Sequence, residues 1–288
     1  MKALRTLLLA SLLAGAPAAL VLGTPQAVST DEADDHYRRA LAHKRAGRNE
    51  EALAEARAAI RARPRHAAAH FTAGSLWRQM GNLEGALACF RQSARLQPNH
   101  APSHGMVGAV LIRLNRYEEA IEPLRRAAEL EPEDPNHWAN LGAVYRRLQR
   151  NEEAIETYEA GLRRHPDDMG LLNNLAVALR RERRNEEAVA LLEEAVASHA
   201  DSEELQFNLA VALRASERCD EAIPHYTRAI ELGRQGPGAL FDLAICYEQV
   251  GQTELAIETY ERYITVVQSR DAAAAQRARD TIERLRRR

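Results

Sequence analysis

A repeat of thirty-four residues constrains this chain more than any other feature of its sequence. Alanine recurs at that interval at Ala52, Ala86, Ala120, Ala154, Ala188, Ala222 and Ala256. Proline recurs at the same interval at Pro64, Pro98, Pro132 and Pro166. Seven units follow one another without an insertion, at residues 33–66, 67–100, 101–134, 135–168, 169–202, 203–236 and 237–270. One unit is too short to bury its own apolar face, so neighbouring units must stack.

The unit at 135–168 shows the internal pattern most clearly. Its first half carries small or apolar residues at helical spacing, namely Trp138, Leu141, Gly142 and Tyr145. Its second half carries another such stripe, namely Ala154, Ile155, Tyr158 and Leu162. Pro166 cannot continue the second helix because it has no backbone N–H to donate. The spacing therefore predicts two amphipathic helices joined by a turn at 149–151, with Gly142 and Ala154 at their crossing.

These residues resemble the tetratricopeptide repeat family, whose pattern places Trp, Leu-Gly, Tyr, Ala, an aromatic residue, Ala and Pro at fixed offsets. The resemblance implies an all-α fold, a right-handed superhelical solenoid of seven 34-residue helix-turn-helix repeats. Residues 271–288 predict a C-terminal capping helix, with its apolar side at Ala274, Ala278, Ile282 and Leu285. The family is a general binding scaffold, so the resemblance implies a protein or peptide partner without identifying it.

Residues 1–30 differ in kind from the repeats. Lys2 and Arg5 precede an apolar run at 7–22, and the remainder of the segment carries no charge. This pattern is typical of a secretory signal peptide. The alternative is an uncleaved N-terminal anchor, which would associate the protein with a membrane. Both alternatives predict an exported protein, located in the bacterial periplasm or anchored to the membrane facing it.

Charge and motifs exclude several classes of function. The formal net charge is −2 over 288 residues, whereas nucleic-acid-binding proteins carry strongly basic surfaces, so we expect no nucleic-acid partner. The sequence contains no Gly-rich phosphate loop, no nucleophile elbow and no Cys/His pair at a motif spacing. We therefore expect a non-enzymatic protein with no catalytic residue and no cofactor.

Two histidine pairs raise the question of a metal site. His66 and His70 lie four residues apart, and His100 and His104 repeat that spacing one unit later. An HxxxH pair on a helix can bind a metal ion. Here no flanking acid completes a site, and the alternative is that these histidines are polar packing residues. We expect no metal site.

Three cysteines leave two alternatives open. Cys219 opens the second helix of unit six, and Cys246 lies late in the first helix of unit seven. Antiparallel packing of those helices would bring the two thiols together, and an exported protein can oxidise such a pair. The alternative is that Cys89, Cys219 and Cys246 are all buried small hydrophobic residues.

The candidate binding residues lie on the first helices, which line the concave surface in the family. Away from the packing stripe, those helices carry an asparagine ladder at Asn140, Asn174 and Asn208. Arginines follow at Arg113, Arg146, Arg147, Arg180, Arg181 and Arg214. Aromatic residues share another groove position at Tyr37, Phe71, Phe207 and Phe241. The ladder resembles the peptide-backbone-binding asparagine ladder of the O-GlcNAc transferase repeats.

The chemistry of these residue types suits an extended, acidic peptide. An amide side chain both donates and accepts hydrogen bonds, so it can pair with a peptide backbone of any sequence. A guanidinium group can bind a carboxylate through two hydrogen bonds. The alternative is structural, because a cation near a helix C-terminus is favourable by about 0.3–1 kcal/mol and the phenylalanine rings could be buried between units.

The sequence thus predicts a non-enzymatic scaffold of the cell envelope that holds an extended, acidic segment of a partner protein in its concave groove. Two alternatives remain open. One is a structural assembly scaffold that binds through its outer surface. The other is an accessory subunit of an envelope enzyme or secretion complex.

Overall fold

The computed structural model describes residues 30–234 and 236–287 of the chain. The described residues form fifteen α-helices and no strand. Their bounds are α1 Thr30–Arg45, α2 Asn49–Ala62, α3 Ala67–Gln79, α4 Leu83–Leu96, α5 Ala101–Arg113, α6 Tyr117–Leu130, α7 Pro135–Arg147, α8 Asn151–Leu162, α9 Met169–Arg181, α10 Asn185–Ser198, α11 Glu203–Ala215, α12 Cys219–Glu231, α13 Pro237–Gln249, α14 Thr253–Val267 and α15 Ala272–Arg286. The predicted all-α solenoid is confirmed.

Each helix pair packs through small residues at fixed offsets. The alanine that recurs in all seven units is fully buried in each of them. In unit four the ring of the fully buried Tyr158 lies directly against Gly142, so an added methyl group at that glycine would collide with it. Leu124 lies against Gly108 in the same way in unit three. The predicted close crossing of the two helices therefore explains why the small residues recur.

The turn between the two helices of each unit contains one residue with positive φ, and this residue also recurs every thirty-four positions. It is glycine in three units, at Gly47, Gly81 and Gly251. In the other four units it is Asn115, Gln149, Arg183 and Glu217, with φ between 57° and 61°. Glycine adopts this region without a steric cost, whereas other residues are strained there.

The first helices of the units form the inner layer of the solenoid. Helices α5, α7, α9 and α11 each contact the first helix of the next unit. A stack curves towards the side on which its elements lie closest together, so the inner face is the side of α5–α13 that does not pack against the second helices. We call this side the inner face. It carries the candidate binding residues except Phe71, which lies on α3.

Helix α15 covers the last repeat, as the apolar spacing of residues 271–288 predicts. Its buried side includes Ala274, Ala278, Ile282 and Leu285, which pack with the buried Tyr263 of α14 in one hydrophobic cluster. Tyr263 stands where other units have a small residue, because its neighbour is this single helix and not another repeat.

The predicted signal peptide or anchor at residues 1–30 lies outside the described residues, apart from Thr30 at the start of α1. Among the helices that the structure does describe, none combines the length and apolar character needed to cross a membrane.

Candidate functional site

One position on the inner face carries the asparagine ladder and ends in an acid. Asn140, Asn174 and Asn208 recur at thirty-four residues, and the next member of the series is Asp242. We call these four residues the ladder. Asn140 is exposed, whereas Asn174 is partly buried and accepts a hydrogen bond from Arg146 Nη2 at 3.5 Å. The asparagines therefore do not share one environment.

Asn208 departs furthest from the expected exposed ladder. Its side chain is buried, and its Nδ2 donates to Asn173 Oδ1 at 2.9 Å. Asn173 lies in unit five, immediately before the ladder residue Asn174. The residue at the same position of unit four is Ala139, which has no amide side chain. Among the ladder asparagines, only Asn208 is hydrogen-bonded to another amide side chain, at the junction of α9 and α11. Its side chain is therefore directed to Asn173 and is not exposed on the inner face.

Five arginines lie beside the ladder on the same face, towards the helix C-termini. We call them the inner arginines: Arg146, Arg147, Arg180, Arg181 and Arg214. Among the described residues, only Arg214 of this group forms an ion pair, with Asp242 at 3.3 Å. Arg214 Nε also donates to the hydroxyl oxygen of Tyr226 at 3.4 Å. The group therefore carries a large excess of positive charge over its one carboxylate partner.

Arg180 is the most confined member of the inner arginines. Its Nε is buried without a hydrogen-bond partner. Burial and the neighbouring Arg214 guanidinium lower the pKa of Arg180. Burial also raises the pKa of Asp242 in spite of the two nearby guanidinium groups. Charges at the centre of this face are thus poorly solvated, and at the Asp242 carboxylate the effect of burial exceeds that of the two guanidinium groups.

Two cavities of about 360 Å³ each lie beside the inner arginines. Arg146, Arg147, Gln149 and Arg181 line the first cavity. Arg180 and Arg181 line the second, together with Val177, Asn185 and Ala215. Arg181 borders both cavities, so the cationic surface runs continuously from unit four to unit six. The remaining predicted arginine, Arg113, is exposed on α5 in unit three, at the edge of this surface.

The arginines that precede the second helices of units three to six behave differently, because each of them pairs with a glutamate. Arg184, which precedes α10, pairs with Glu187 at 2.7 Å and with Glu152 of the previous unit at 3.4 Å. Hydrogen bonds from Arg116 and Arg91 lower the pKa of Glu119 to about 2. The chain neutralises these four arginines, whereas four of the five inner arginines have no carboxylate partner among the described residues.

The phenylalanines at the groove position are only partly available. Phe71 is partly buried and meets the ring of the core residue Phe90 edge-on, with ring centroids 5.3 Å apart. The guanidinium of Arg234 lies over the ring of Phe207, 4.0 Å from its centroid. Phe241 is 37% exposed and is the most accessible of the three. Two of these rings thus contribute to packing within their own units, Phe71 in unit two and Phe207 in unit six.

The HxxxH histidines have structural roles. His70 Nε2 donates to the carbonyl oxygen of Pro64 at 2.9 Å, and His104 Nε2 donates to that of Pro98 at 3.0 Å. A carbonyl oxygen only accepts, so the proton sits on Nε2 in both rings. At the same position of later units, Trp138 donates to Pro132 and Gln206 donates to Ala200. This shared hydrogen bond closes the bend between units. It cannot be recognised from the sequence, because histidine, tryptophan and glutamine each make it in different units.

Of the alternatives for the cysteines, the structure contains the bridged one. Cys219 and Cys246 form a disulfide that joins α12 to α13, with Cα atoms 4.9 Å apart. Cys89 is a free, partly buried thiol. The bridge ties unit six to unit seven.

Comparison with protein families and solved structures agrees with this architecture. The family model for the C-terminal domain of cilia and flagella-associated protein 70, a tetratricopeptide-repeat domain, matches residues 2–240. A tetratricopeptide-repeat model matches residues 207–280. No curated protein matches the chain.

Three solved structures show the same fold at low sequence identity. A tetratricopeptide repeat protein from Parabacteroides merdae is 12% identical, covers 88% of this chain and 99% of its own length, and has a TM-score of 0.59. MamA from Desulfovibrio magneticus RS-1 is 19% identical, covers 59% of this chain and 97% of its own, and has a TM-score of 0.54. YrrB, described as a TPR protein with an unusual peptide-binding site, is 21% identical, covers 66% and 97%, and has a TM-score of 0.53. The chain belongs to the tetratricopeptide-repeat family.

Proposed function

We propose that this protein is a binding scaffold whose inner face holds an extended, acidic segment of a partner protein. The inner arginines carry this proposal, because only Arg214 among them has an ion-pair partner within the described residues. Four guanidinium groups, all except that of Arg214, line the two cavities and offer several bidentate sites for carboxylates in a row. YrrB, a structural neighbour, is described as having a peptide-binding site, which agrees with this use of the fold.

The ladder supplies a sequence-independent contribution to the same site. Asn140 is exposed and Asn174 is only partly buried, so both amides can reach the backbone of an extended peptide. Asn208 is committed to Asn173 and is left out of the proposed contact surface. The cationic groups therefore select acidic side chains or a C-terminal carboxylate, and the two asparagines hold the backbone.

The first experiment measures the binding of labelled peptides to the full chain by fluorescence anisotropy. The probes are an oligoglutamate peptide, an oligolysine peptide and an uncharged peptide of the same length. We expect oligoglutamate to bind and its affinity to fall as salt is added, because salt screens exposed charges. Equal affinity for the three peptides would contradict the proposal.

Charge-reversal variants locate the site. The double variant Arg147→Glu/Arg181→Glu should bind oligoglutamate at least tenfold more weakly, which corresponds to about 1.4 kcal/mol. Both residues are exposed, so the fold should be retained. The matched control is Arg61→Glu/Arg163→Glu, which makes the same change of charge at exposed positions at the ends of α2 and α8. If the control loses as much affinity as the inner variant, the binding reflects net charge alone.

A second candidate function is an assembly scaffold that binds through the outer surface. One observation favours it, a cavity of about 680 Å³ lined by residues of α4, α5 and α6, including Ala94, Pro98, Val107 and Pro123. The exposed Arg95 stands among its lining residues. Loss of oligoglutamate binding in Arg95→Glu, with normal binding by the inner-face variant, would transfer the site to this surface.

The location of the protein outside the cytoplasm is part of the proposal and rests on the basic and apolar character of residues 1–30. A reporter that is active only outside the cytoplasm, fused to the C-terminus, tests it. Deletion of residues 1–27 should abolish the reporter signal. A signal that survives the deletion would exclude export through this segment.

A further inference from the structure

Three potential metal ligands meet at the junction of units three and four. Glu131 is the C-cap residue of α6, Asp134 is the N-cap of α7, and His137 lies in the first turn of α7. One ligand atom from each residue lies within 4.8 Å of the others. The three residues follow each other at intervals of three, which stacks their side chains at one end of the α6–α7 bend.

The imidazole of His137 points to a ligand at this place. Its side chain is 10% exposed, and its Nε2 is buried without a hydrogen-bond partner. Glu131 Oε2 lies 3.6 Å and Asp134 Oδ2 lies 3.7 Å from that nitrogen, which is too far for hydrogen bonds. Ligand atoms around a tetrahedral zinc ion with bonds of about 2.0–2.2 Å lie roughly 3.3–3.6 Å apart. We propose that Glu131, Asp134 and His137 bind a zinc ion.

The surrounding chain holds the ligands in place. Asp134 Oδ1 accepts hydrogen bonds from the backbone N–H of Asn136 at 3.0 Å and from its Nδ2 at 2.7 Å, which leaves Oδ2 free to face His137. Such outer contacts orient a ligand and raise metal affinity. Pro132 and Pro135 restrict the backbone on both sides of Asp134.

The residue opposite the His137 ring also makes room for it. Gly105 of α5 has no side chain, and an added Cβ there would lie 3.1 Å from His137 Cε1. The ring is therefore packed into one position, as a preorganised ligand requires. His137 belongs to neither HxxxH pair, which is why spacing along the chain favours no metal site here.

The ligand set selects the class of ion. Imidazole favours zinc and related transition metals over Ca²⁺ and Mg²⁺, which prefer oxygen ligands throughout. Two carboxylates neutralise the charge of a divalent ion. Glu131 and Asp134 are 51% and 39% exposed in their side chains, so water can complete the coordination. The ion would connect the end of α6 to the start of α7 and fix the angle between units three and four.

The test uses the untagged full chain, because a histidine tag would itself bind zinc. After dialysis against EDTA, isothermal titration with ZnCl₂ should give one site per chain. Addition of Co²⁺ should produce the visible absorption of a tetrahedral complex. His137→Gln should weaken zinc binding at least tenfold, and so should Glu131→Gln, whose side chain is too exposed to affect folding.

His104→Gln is the matched control. His104 already donates to Pro98, and Gln206 makes the same bond in unit six, so glutamine can replace histidine there. This variant should bind zinc like the parent chain. The proposal is overturned if no stoichiometric binding occurs, or if His137→Gln and Glu131→Gln bind as the parent does. A loss confined to His104→Gln would assign the ion to an HxxxH pair.

Discussion

The close crossing of α7 and α8 makes Gly142→Ala the sharpest test of the packing scheme. A Cβ at position 142 would lie 2.3 Å from Tyr158 Cε1 and 2.6 Å from its Cζ. Carbon atoms in contact are about 3.5–4.0 Å apart, so the helices or the ring must move by roughly 1 Å or more. Tyr158 is fully buried, so its ring cannot move out into solvent without opening the core.

The expected cost combines two opposing contributions. Overpacking of a tight core costs about 1–3 kcal/mol, and the severity of this overlap places Gly142→Ala in the upper half of that range. Alanine recovers up to about 1 kcal/mol, because glycine is the poorer helix former. We therefore expect the free energy of unfolding to fall by about 1–2 kcal/mol.

Urea unfolding followed by circular dichroism measures this change, with the midpoint compared at equal m-value. Gly238→Ala is the matched control, because it lies in the first turn of α13 and an added Cβ there meets no atom within 4 Å. We expect the control to be neutral or slightly stabilising. If both variants shift the midpoint alike, the crossing of α7 and α8 does not require glycine and the two helices can relax to accept alanine. Unit six has alanine, Ala210, at the equivalent position, together with the buried Tyr226 at the position of Tyr158.

Three further predictions follow from the structure. Unreduced, denatured protein should contain one reactive thiol, that of Cys89, and three reactive thiols would contradict the bridge. The Cys219–Cys246 bridge has a sequence separation of 27, so its reduction should lower the free energy of unfolding by roughly 3.5 kcal/mol in the chain-entropy treatment. Glu217→Gly should raise the free energy of unfolding by about 0.5–1 kcal/mol, because φ is 61° there. The urea midpoint should rise accordingly, and a lower midpoint would refute the strain argument. Burial lowers the pKa of His225, so the unfolded chain takes up the proton first and stability present above about pH 6.5 is lost as pH falls. Thermal unfolding at pH 7.5 and 5.5 should therefore show a smaller pH effect in His225→Gln than in the parent, and an equal effect would remove His225 as the cause.

The helix pairs could be predicted from sequence because they depend on local rules. Gly142 and Ala154 stand at helix-crossing offsets, and each predicted unit contains one pair of helices in the structure. The turns were less predictable. Arg183 and Glu217 have positive φ, although neither residue type favours it. This backbone conformation could be predicted only because Gly47 stands at the same position of unit one. Here the repeat imposes a backbone conformation that the local residues do not favour.

The candidate site could be predicted in position but not in detail. The 34-residue repeat places Asn174 and Asn208 at equivalent positions of their units. It does not predict which side chains of the neighbouring unit contact them. Asn208 meets Asn173 and turns to it, whereas Asn174 accepts from Arg146. The adjacent pair Asn173-Asn174 was a sequence signal for this difference, because it places a second amide within reach of the next unit. Contacts between units depend on two neighbouring sequences at once, and a search along one register misses them.

Arg180 of unit five differs from the corresponding arginines of units four and six. In units four and six the arginine beside the ladder reaches the ladder residue of the next unit, as Arg146 reaches Asn174 and Arg214 reaches Asp242. Arg180 makes no such contact: its Nε is buried without a partner, and the side chain of Asn208 is directed to Asn173. On the proposed function, Arg180 and the exposed Arg181 beside it form the centre of the binding surface.

Asp242 then sets one limit of that surface. It is the acidic member of the ladder, and it lies where the inner arginines end. A carboxylate of the ligand placed next to Asp242 would be repelled, whereas one placed near Arg180 would replace a missing partner. The ladder position is asparagine in units four to six and aspartate in unit seven. On the proposed function, this change favours an acidic segment bound over units four to six, with its charges away from unit seven.

The variant Asp242→Asn would remove that limit, so it should bind oligoglutamate more tightly than the parent chain does. Weaker binding would show that Asp242 holds Arg214 in place for the ligand.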